Sequence, residues 1–570
     1  ALPLGRLFMV SLEAPDFSLV NYVSFFNEGA YVRVLVQTVR VSVTVTLICI
    51  ALGYPTAYVL ARSRGKAQRL LILLVVIPYL TSFLVRTYAW IVLLNRRGVI
   101  NSLLMETGVI DRPLDIIYNQ FSVHVGLVHV MLPFMILPLY SVMKGIDLRL
   151  VQAAQAFGAG PLRAHLRAFL PLAMPGVRSG GLLVFLLCLG FFITPALLGG
   201  LRDVMLASFI EAQVSQLVQW GVAAAASFIL LGVTLTGFFV VGRLIGANGL
   251  IIGGALTQKS DASGRSGWAS WRAVLKTRLP WWRHLSETIF DTKAAWRARS
   301  WRRKNGRPAA FAILGVSALR LSSWMVLAYL AVPVLIVAFV SFSSADYLRF
   351  PPPGLSFRWY GNYLSDPHWL RATSLSLQVA VVTAAWSTIA GTLAAYALVR
   401  GRFWFKELAV GFIISPIIVP PIVIAVALYG QEAKLGLIGS VVGIAIGHSI
   451  IAVAYVVIIV SATLENLDRD LERAAMSLGA GPLRTFRRVT LPLIATGVGS
   501  SAIFAFIHSF DELVISLFVG GFHRQTLPVK MWENIQNEID PTIAAVSTLV
   551  VLLPLVFLLL RRDKVKDMGG

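Results

Sequence analysis

Apolar residues in this chain lie in runs of about twenty, the length at which a helix crosses the hydrocarbon core of a bilayer. In that core no water meets the backbone, so a segment must satisfy its own N–H and C=O groups. Only helices and closed barrels do so, and these runs are far longer than barrel strands. Charged residues make up 14% of the chain and hydrophobic ones 57%, whereas a soluble protein carries about a quarter charged. The reading is an all-α polytopic membrane protein. The first half offers spans near 38–62, 70–94, 121–143, 171–197 and 220–243. The second offers 320–343, 373–399, 407–430, 437–461, 491–519 and 542–560.

The hexapeptide Gly-Ala-Gly-Pro-Leu-Arg occupies 158–163 and again 479–484, 321 residues later. Around it, 151–171 and 472–492 share Ala-Ala, a glycine four residues on, and a closing Leu-Pro. A polar segment repeated in one register between apolar spans marks two copies of one module. Three regions follow: a first transmembrane domain over 1–245, a linker over 246–319 and a second transmembrane domain over 320–570. The first half lacks a counterpart of the span at 320–343. Residues 3–13 read as the tail of such a span, which predicts a truncated first helix and two bundles of about six helices. A five-plus-six arrangement is the alternative.

Placing both repeats in the cytoplasm also puts Arg62–Arg69, Arg400–Lys406 and Arg561-Arg562 there, as the positive-inside rule requires. The net charge of +23 therefore reflects topology, and no nucleic-acid partner is needed. Two complete six-span halves would be parallel, related by a pseudo-twofold axis along the membrane normal. The stretch from 244 to 320 holds 14 Lys/Arg, 3 Asp/Glu and six of the fourteen tryptophans. Tryptophan with arginine favours the lipid headgroup region, so short helices on the cytoplasmic leaflet are expected within 268–304, with a solvated tether as the alternative. Cys49 and Cys188 lie within spans and suggest neither a disulfide framework nor a metal site.

In each repeat, Ala-Ala suits a short helix whose small face lies against another protein. Gly-Ala-Gly-Pro then ends that helix and turns the chain. A polar helix follows, and Leu-Pro opens the next span. The pattern resembles the EAA motif of ABC importer permeases, carried here by Ala153, Ala154, Gly158, Leu170 and Pro171, then by Ala474, Ala475, Gly479, Leu491 and Pro492. The motif's glutamate is replaced by Gln152 in the first copy and by Arg473 in the second, with Glu472 one residue earlier. Segments 78–90 and 193–200 resemble one subunit of the spermidine/putrescine-type permeases, and 356–360 and 509–516 resemble its partner subunit, here joined in one chain.

The resemblance implies a multi-pass permease of the bacterial inner membrane. Two copies of a cytoplasmic ABC ATPase would grip Gln152, Ala153, Ala154, Gly158, Glu472, Arg473, Ala474, Ala475 and Gly479. A periplasmic or extracellular binding protein would deliver a small organic amine. This chain has no Gly-x4-Gly-Lys-Ser/Thr loop, so ATP and Mg belong to the partner ATPase; no cofactor, catalytic constellation or metal site is expected here. His124, His129, His448 and His508 are assigned packing or hydrogen-bonding roles.

Along the path, Asp511 and Glu512 are acids within a span, where charge is costly and faces a cavity or a partner. They would attract a cation, or cap a helix end. The 321-residue offset sets Gly190 and Phe191 opposite them. Phe191, Phe192 and Thr194 make that side aromatic or neutral. Arg86, near Tyr88, needs a carbonyl or an acid as partner. Pro416, Pro420 and Pro421 predict a kink in the span at 407–430. An ion-coupled secondary transporter with two parallel halves, or a fused ABC permease for ferric iron or thiamine, are the alternatives.

Overall fold

The protein is described by a computed structural model over residues 2–13, 16–244, 309–346, 350–521, 524–537 and 540–552. Most of the basic linker, with its six tryptophans and its expected surface helices, lies outside the described residues. Its last residues, from 309, already belong to the next helix, Ala309–Val340.

The first half runs α1 (Leu2–Ser11), α2 (Gly29–Arg62), α3 (Gly65–Leu80), α4 (Phe83–Leu94), α5 (Gln120–Lys144), α6 (Arg149–Ala156), α7 (Leu170–Leu189), α8 (Ile193–Leu198) and α9 (Trp220–Leu244). The second runs α10 (Ala309–Val340), α11 (Pro367–Arg400), α12 (Lys406–Ile414), α13 (Pro421–Leu435), α14 (Val441–Glu465), α15 (Arg469–Ser477), α16 (Ala495–Asp511), α17 (Val514–Val519) and α18 (Leu527–Asn537). Among the described residues, helices dominate and the β content is one isolated bridge, Ser343 with Leu355.

Seven helices are long and apolar enough to span a membrane, and three bent pairs bring the number to ten. Residues 542–552 add the described part of the last expected span. The span expected at 70–94 is not one rod: it bends by 99° between Leu80 and Phe83. Pro78 sits in the last turn of α3, and Thr81 and Ser82 are extended. The kink expected at 407–430 is present as a 98° bend before Pro421. A residue preceding proline is pushed to extended backbone, and Pro420 has ψ 133°. The spans expected at 171–197 and 491–519 end at Leu189 and Asp511, and each chain then turns into a short helix, α8 or α17.

Internal symmetry extends well beyond the repeated loop. Helices α2 and α11 both have 34 residues and start 338 residues apart, at Gly29 and Pro367. Helices α5 and α14 both have 25 and start 321 apart, at Gln120 and Val441. The offset changes because the first half carries a longer loop between α4 and α5, closed by an Arg96–Asp115 ion pair at 2.8 Å. Equivalent contacts repeat across these offsets. The Leu206 amide donates to Thr38 Oγ1 at 2.8 Å, and the Leu527 amide to Ser376 Oγ at 2.7 Å. Glycine lets α2 approach α5, and α11 approach α14: a Cβ on Gly53 would lie 2.8 Å from Met135 Cγ, and one on Gly391 2.6 Å from Val456 Cγ1. Lipid tails are as apolar as leucine, so such small-residue contacts are what hold membrane helices together.

The halves exchange their first helices. Helix α10 packs on α2, α3 and α4 of the first half, while α1 packs on α13 of the second and on α9. His129 Nε2 meets the Leu330 carbonyl at 3.2 Å, and Ser323 Oγ donates to the Pro55 carbonyl at 3.4 Å. Each bundle therefore includes a helix from the other half of the chain. The largest buried cluster crosses the divide, joining Val85 and Ile91 of α4 to Ile422 and Val426 of α13 and Ile515 of α17.

Candidate functional site

Both repeats fold as helix–turn–helix loops at one end of the bundle. Helix α6 ends in a Schellman turn. The Gly158 amide donates to the Gln155 carbonyl at 2.9 Å and the Ala159 amide to the Ala154 carbonyl at 3.1 Å. After α15, Gly479 bonds Met476 at 3.0 Å and Ala480 bonds Ala475 at 3.1 Å. Gly158 has φ 86° and Gly479 has φ 85°, a left-handed conformation that costs any residue with a Cβ. Each turn presents the same apolar knob: Phe157 and Leu478 are both 90% exposed, flanked by Leu162 and Leu483.

A π turn carries each loop back into the membrane, at His165–Phe169 and Phe486–Thr490. Pro171 and Pro492 have no N–H to give, and the ladder slips by one residue there, with the Leu170 amide donating to the His165 carbonyl. Gln152 and Arg473, at the motif's acidic position, are exposed, and Arg473 pairs with Asp470 at 2.9 Å. Glu472, expected at the docking surface, faces inward. It pairs with Arg400 Nε at 2.8 Å and accepts from Thr490 Oγ1 at 2.7 Å. Its job in the fold is to fasten α15 to the end of α11. In the first half Val151 and Phe169 stand at the Glu472 and Thr490 positions, and Arg62 lies over the Tyr58 and Phe169 rings at 5.0 and 5.3 Å.

At the end of α16 the two acids diverge, because the backbone leaves the helix at Glu512 (ψ 115°). Glu512 is buried and caps α17. It accepts from the Ile515 amide at 2.9 and 3.0 Å and from the Ser516 amide at 3.1 Å, with His448 Nε2 3.2 Å away. His448 also bonds Ser509 at 2.7 Å. Asp511 instead crosses to the other half. It accepts from the Phe83 amide at 3.4 Å, at the N-terminus of α4, with Ser82 beside it. Arg86, buried at 1% exposure, donates to the Val130 carbonyl at 3.1 Å and stacks on Phe83 at 4.7 Å.

The opposite arm of the pseudo-twofold shows why only one acid reaches across. Gly190 replaces Asp511, and it meets Pro420 so closely that a Cβ would lie 2.6 Å from Pro420 Cβ. The helix facing it begins at Pro421, which has no N–H and needs no acceptor. Gly190→Val is expected to destabilise the protein by about 1–3 kcal/mol through overpacking. Thermal unfolding in detergent checks it; an unchanged Tm would refute this contact.

Of the residues expected along a path, Phe191 and Asp511 are brought together, both half-buried and both against Phe83, with Phe191 at 5.4 Å between rings. Phe134 and Tyr79, half-buried as well, extend this aromatic wall. In the other half Tyr455 packs on Phe504 and His508, at 4.9 and 5.6 Å between rings. Nothing in the sequence marks Tyr79, Phe83 and Phe134 apart from other membrane aromatics; their convergence distinguishes them. Tyr88, Phe192 and Thr194 are packed inside. Thr194 shares a 2.8 Å hydrogen bond with Thr87, and Phe192 stacks on Trp532 of the other half at 4.8 Å. Among the described residues, no three His, Cys, Asp or Glu side chains gather as a metal site would require.

Residues 50–244 and 387–562 each match the family model described as binding-protein-dependent transport system inner membrane component. The spermidine/putrescine transport system permease protein PotB of Escherichia coli K12 is 35% identical over 232 residues, which are 40% of this chain and 84% of PotB. PotB of Haemophilus influenzae is also 35% identical, over 231 residues, with 80% of its length covered. The putrescine transport system permease protein PotI of E. coli K12 is 35% identical over 234 residues, covering 39% of this chain and 82% of PotI. Each half of the chain has such relatives, and the chain is about twice their length. A solved bacterial ABC transporter for import of the acidic polysaccharide alginate aligns at 15% identity and TM-score 0.35, over 43% of this chain and 89% of its own. The family model and the PotB and PotI relatives decide for an ABC importer permease over an ion-coupled secondary transporter. Carrying the family's domain twice, this inner-membrane chain belongs to the binding-protein-dependent transport system inner membrane components.

Proposed function

We propose that this permease forms the path for a small organic cation of the polyamine class. An external binding protein delivers it, and two cytoplasmic ABC ATPase subunits drive the cycle. The observation that carries the substrate class is the half-buried Asp511 carboxylate between the halves, set against the Phe83, Phe191, Phe134 and Tyr79 rings. A carboxylate binds an ammonium directly, and aromatic faces hold further cationic or methylene groups. Arg86 donates to the Val130 carbonyl rather than to Asp511, which leaves the Asp511 oxygens to an entering ammonium. The relatives named for spermidine and putrescine transport support the same class.

The docking half of the proposal rests on the two exposed knobs at Phe157 and Leu478. ATP and Mg act in the partner subunits. Two equivalent loops suit two copies of one ATPase, whose closure on ATP would rock the halves about the Asp511–Phe83 and Gly190–Pro420 contacts.

Asp511→Asn tests the substrate class. Asparagine still accepts from the Phe83 amide, so the cross-half contact survives while the charge is lost. Uptake of a labelled polyamine into proteoliposomes is expected to fall by about tenfold or more, as for a lost charge-assisted contact. Assembly and basal ATPase activity should stay unchanged. Normal uptake in this variant would rule out Asp511 as the cation's partner.

A further inference from the structure

A cavity of about 510 Å³ opens behind the first docking loop. It lies between the end of α2, helix α6 and helix α10 of the second half. Arg62, Arg320, His165, Gln152 and Gln155 supply its polar lining, and Val59, Val151 and Leu319 are among its apolar residues. Among the described residues that line it there is no carboxylate. Arg62 Nε and Arg400 Nε are both buried without a well-aligned hydrogen bond, but only Arg400 Nε has a carboxylate beside it, Glu472 at 2.8 Å.

The second half shows what the first lacks. Arg400 ends α11 as Arg62 ends α2, both helices being 34 residues long. There the built-in carboxylate of Glu472 meets the arginine at 2.8 Å. In the first half the same position is Val151, and an open basic cavity takes the place of the ion pair. The ring faces of Tyr58 and Phe169 hold the Arg62 guanidinium in place but give it no anion.

We propose that this cavity binds a phosphate-bearing anion, which takes the part that Glu472 plays in the second half. Its phosphate lies between Arg62 and Arg320, within reach of the Gln152 and Gln155 amides. The site sits where charged headgroups meet the cytoplasmic ends of the helices, and its mixed polar and apolar lining suits the headgroup of an anionic phospholipid. A free phosphate group offers the same chemistry. The bound anion fastens α6 to α2, so the stiffness of the first docking loop depends on a ligand while that of the second is built in. The proposal concerns binding alone and stands independently of the transported substrate.

The test uses the full chain in phosphatidylcholine nanodiscs containing a small fraction of phosphatidylglycerol, with retained lipid counted by native mass spectrometry. One phosphatidylglycerol per chain is expected to be held above the bulk ratio. Arg62→Gln and Arg320→Gln should each weaken retention by about fivefold. Val151→Glu, which restores the internal carboxylate, should displace the lipid by on the order of tenfold while leaving both arginines intact. Val151→Leu controls for packing and should retain it. A second arm titrates inorganic phosphate into nanodiscs of phosphatidylcholine alone. Saturable phosphate binding that Val151→Glu abolishes, without lipid retention, supports the site with a soluble ligand. Equal lipid and phosphate binding by the wild type, Arg62→Gln and Val151→Glu overturns it.

Discussion

Replacing Gly158 and Gly479 together by valine is expected to strip the permease of its ATPase subunits and abolish uptake. Both glycines hold φ near 85°, where a side chain costs about 1–2 kcal/mol and a β-branched one more. Relief of that strain breaks the bonds from Ala159 to Ala154 and from Ala480 to Ala475. The helix ends then unwind, and Phe157 and Leu478, the exposed knobs, no longer point to a fixed place. Copurification of the ATPase with the permease reads this directly. Asparagine at both positions should retain much of the complex, because it tolerates the left-handed region. Full recovery of the ATPase by the double valine variant would refute the docking assignment.

Breaking the Arg400–Glu472 pair should carry the second large effect. Both side chains are about nine-tenths buried, and Glu472 also receives the Thr490 hydroxyl. Glu472→Leu leaves a buried guanidinium uncompensated, which costs about 3–5 kcal/mol where one partner of such a pair is removed. The loss should be local: amide exchange in α15 rises, Tm falls, and uptake drops. Arg400→Leu added to Glu472→Leu should recover much of the stability, since an apolar pair replaces a buried ionic one at little net cost. A double variant no better than the single would show that Glu472 acts through something other than Arg400.

The two acids at 511 and 512 show where reading a sequence stops. Adjacent in a span, they invite one shared role. In three dimensions one caps its own half's short helix and the other reaches the opposite half. The divergence arises from a backbone turn at Glu512 that no strong breaker announces. The two bends near 100° contrast in the same way. Pro420-Pro421 announces one, because proline removes an N–H and restricts its predecessor. The other, at Thr81-Ser82, has only Pro78 nearby, and its N-terminus is satisfied by Asp511 from hundreds of residues away. Glu472 was legible as part of a docking motif, yet the arginine that turns it inward lies on another helix.

Local chemistry made much of this protein readable. Apolar runs of bilayer length must be helices, because backbone groups in lipid have no other partner. The duplicated Ala-Ala, glycine and Leu-Pro spacing encodes two equivalent loops through caps and prolines alone. What only the tertiary structure decided depends on which residues meet across the pseudo-twofold: the exchange of α1 and α10 between bundles, the Asp511–Phe83 contact facing Gly190–Pro420, the convergence of aromatic rings, and the open cavity at Arg62. Halves built to one plan place equivalent backbone positions at equivalent points. The differences between the halves become sites only when the fold sets each residue against its partner.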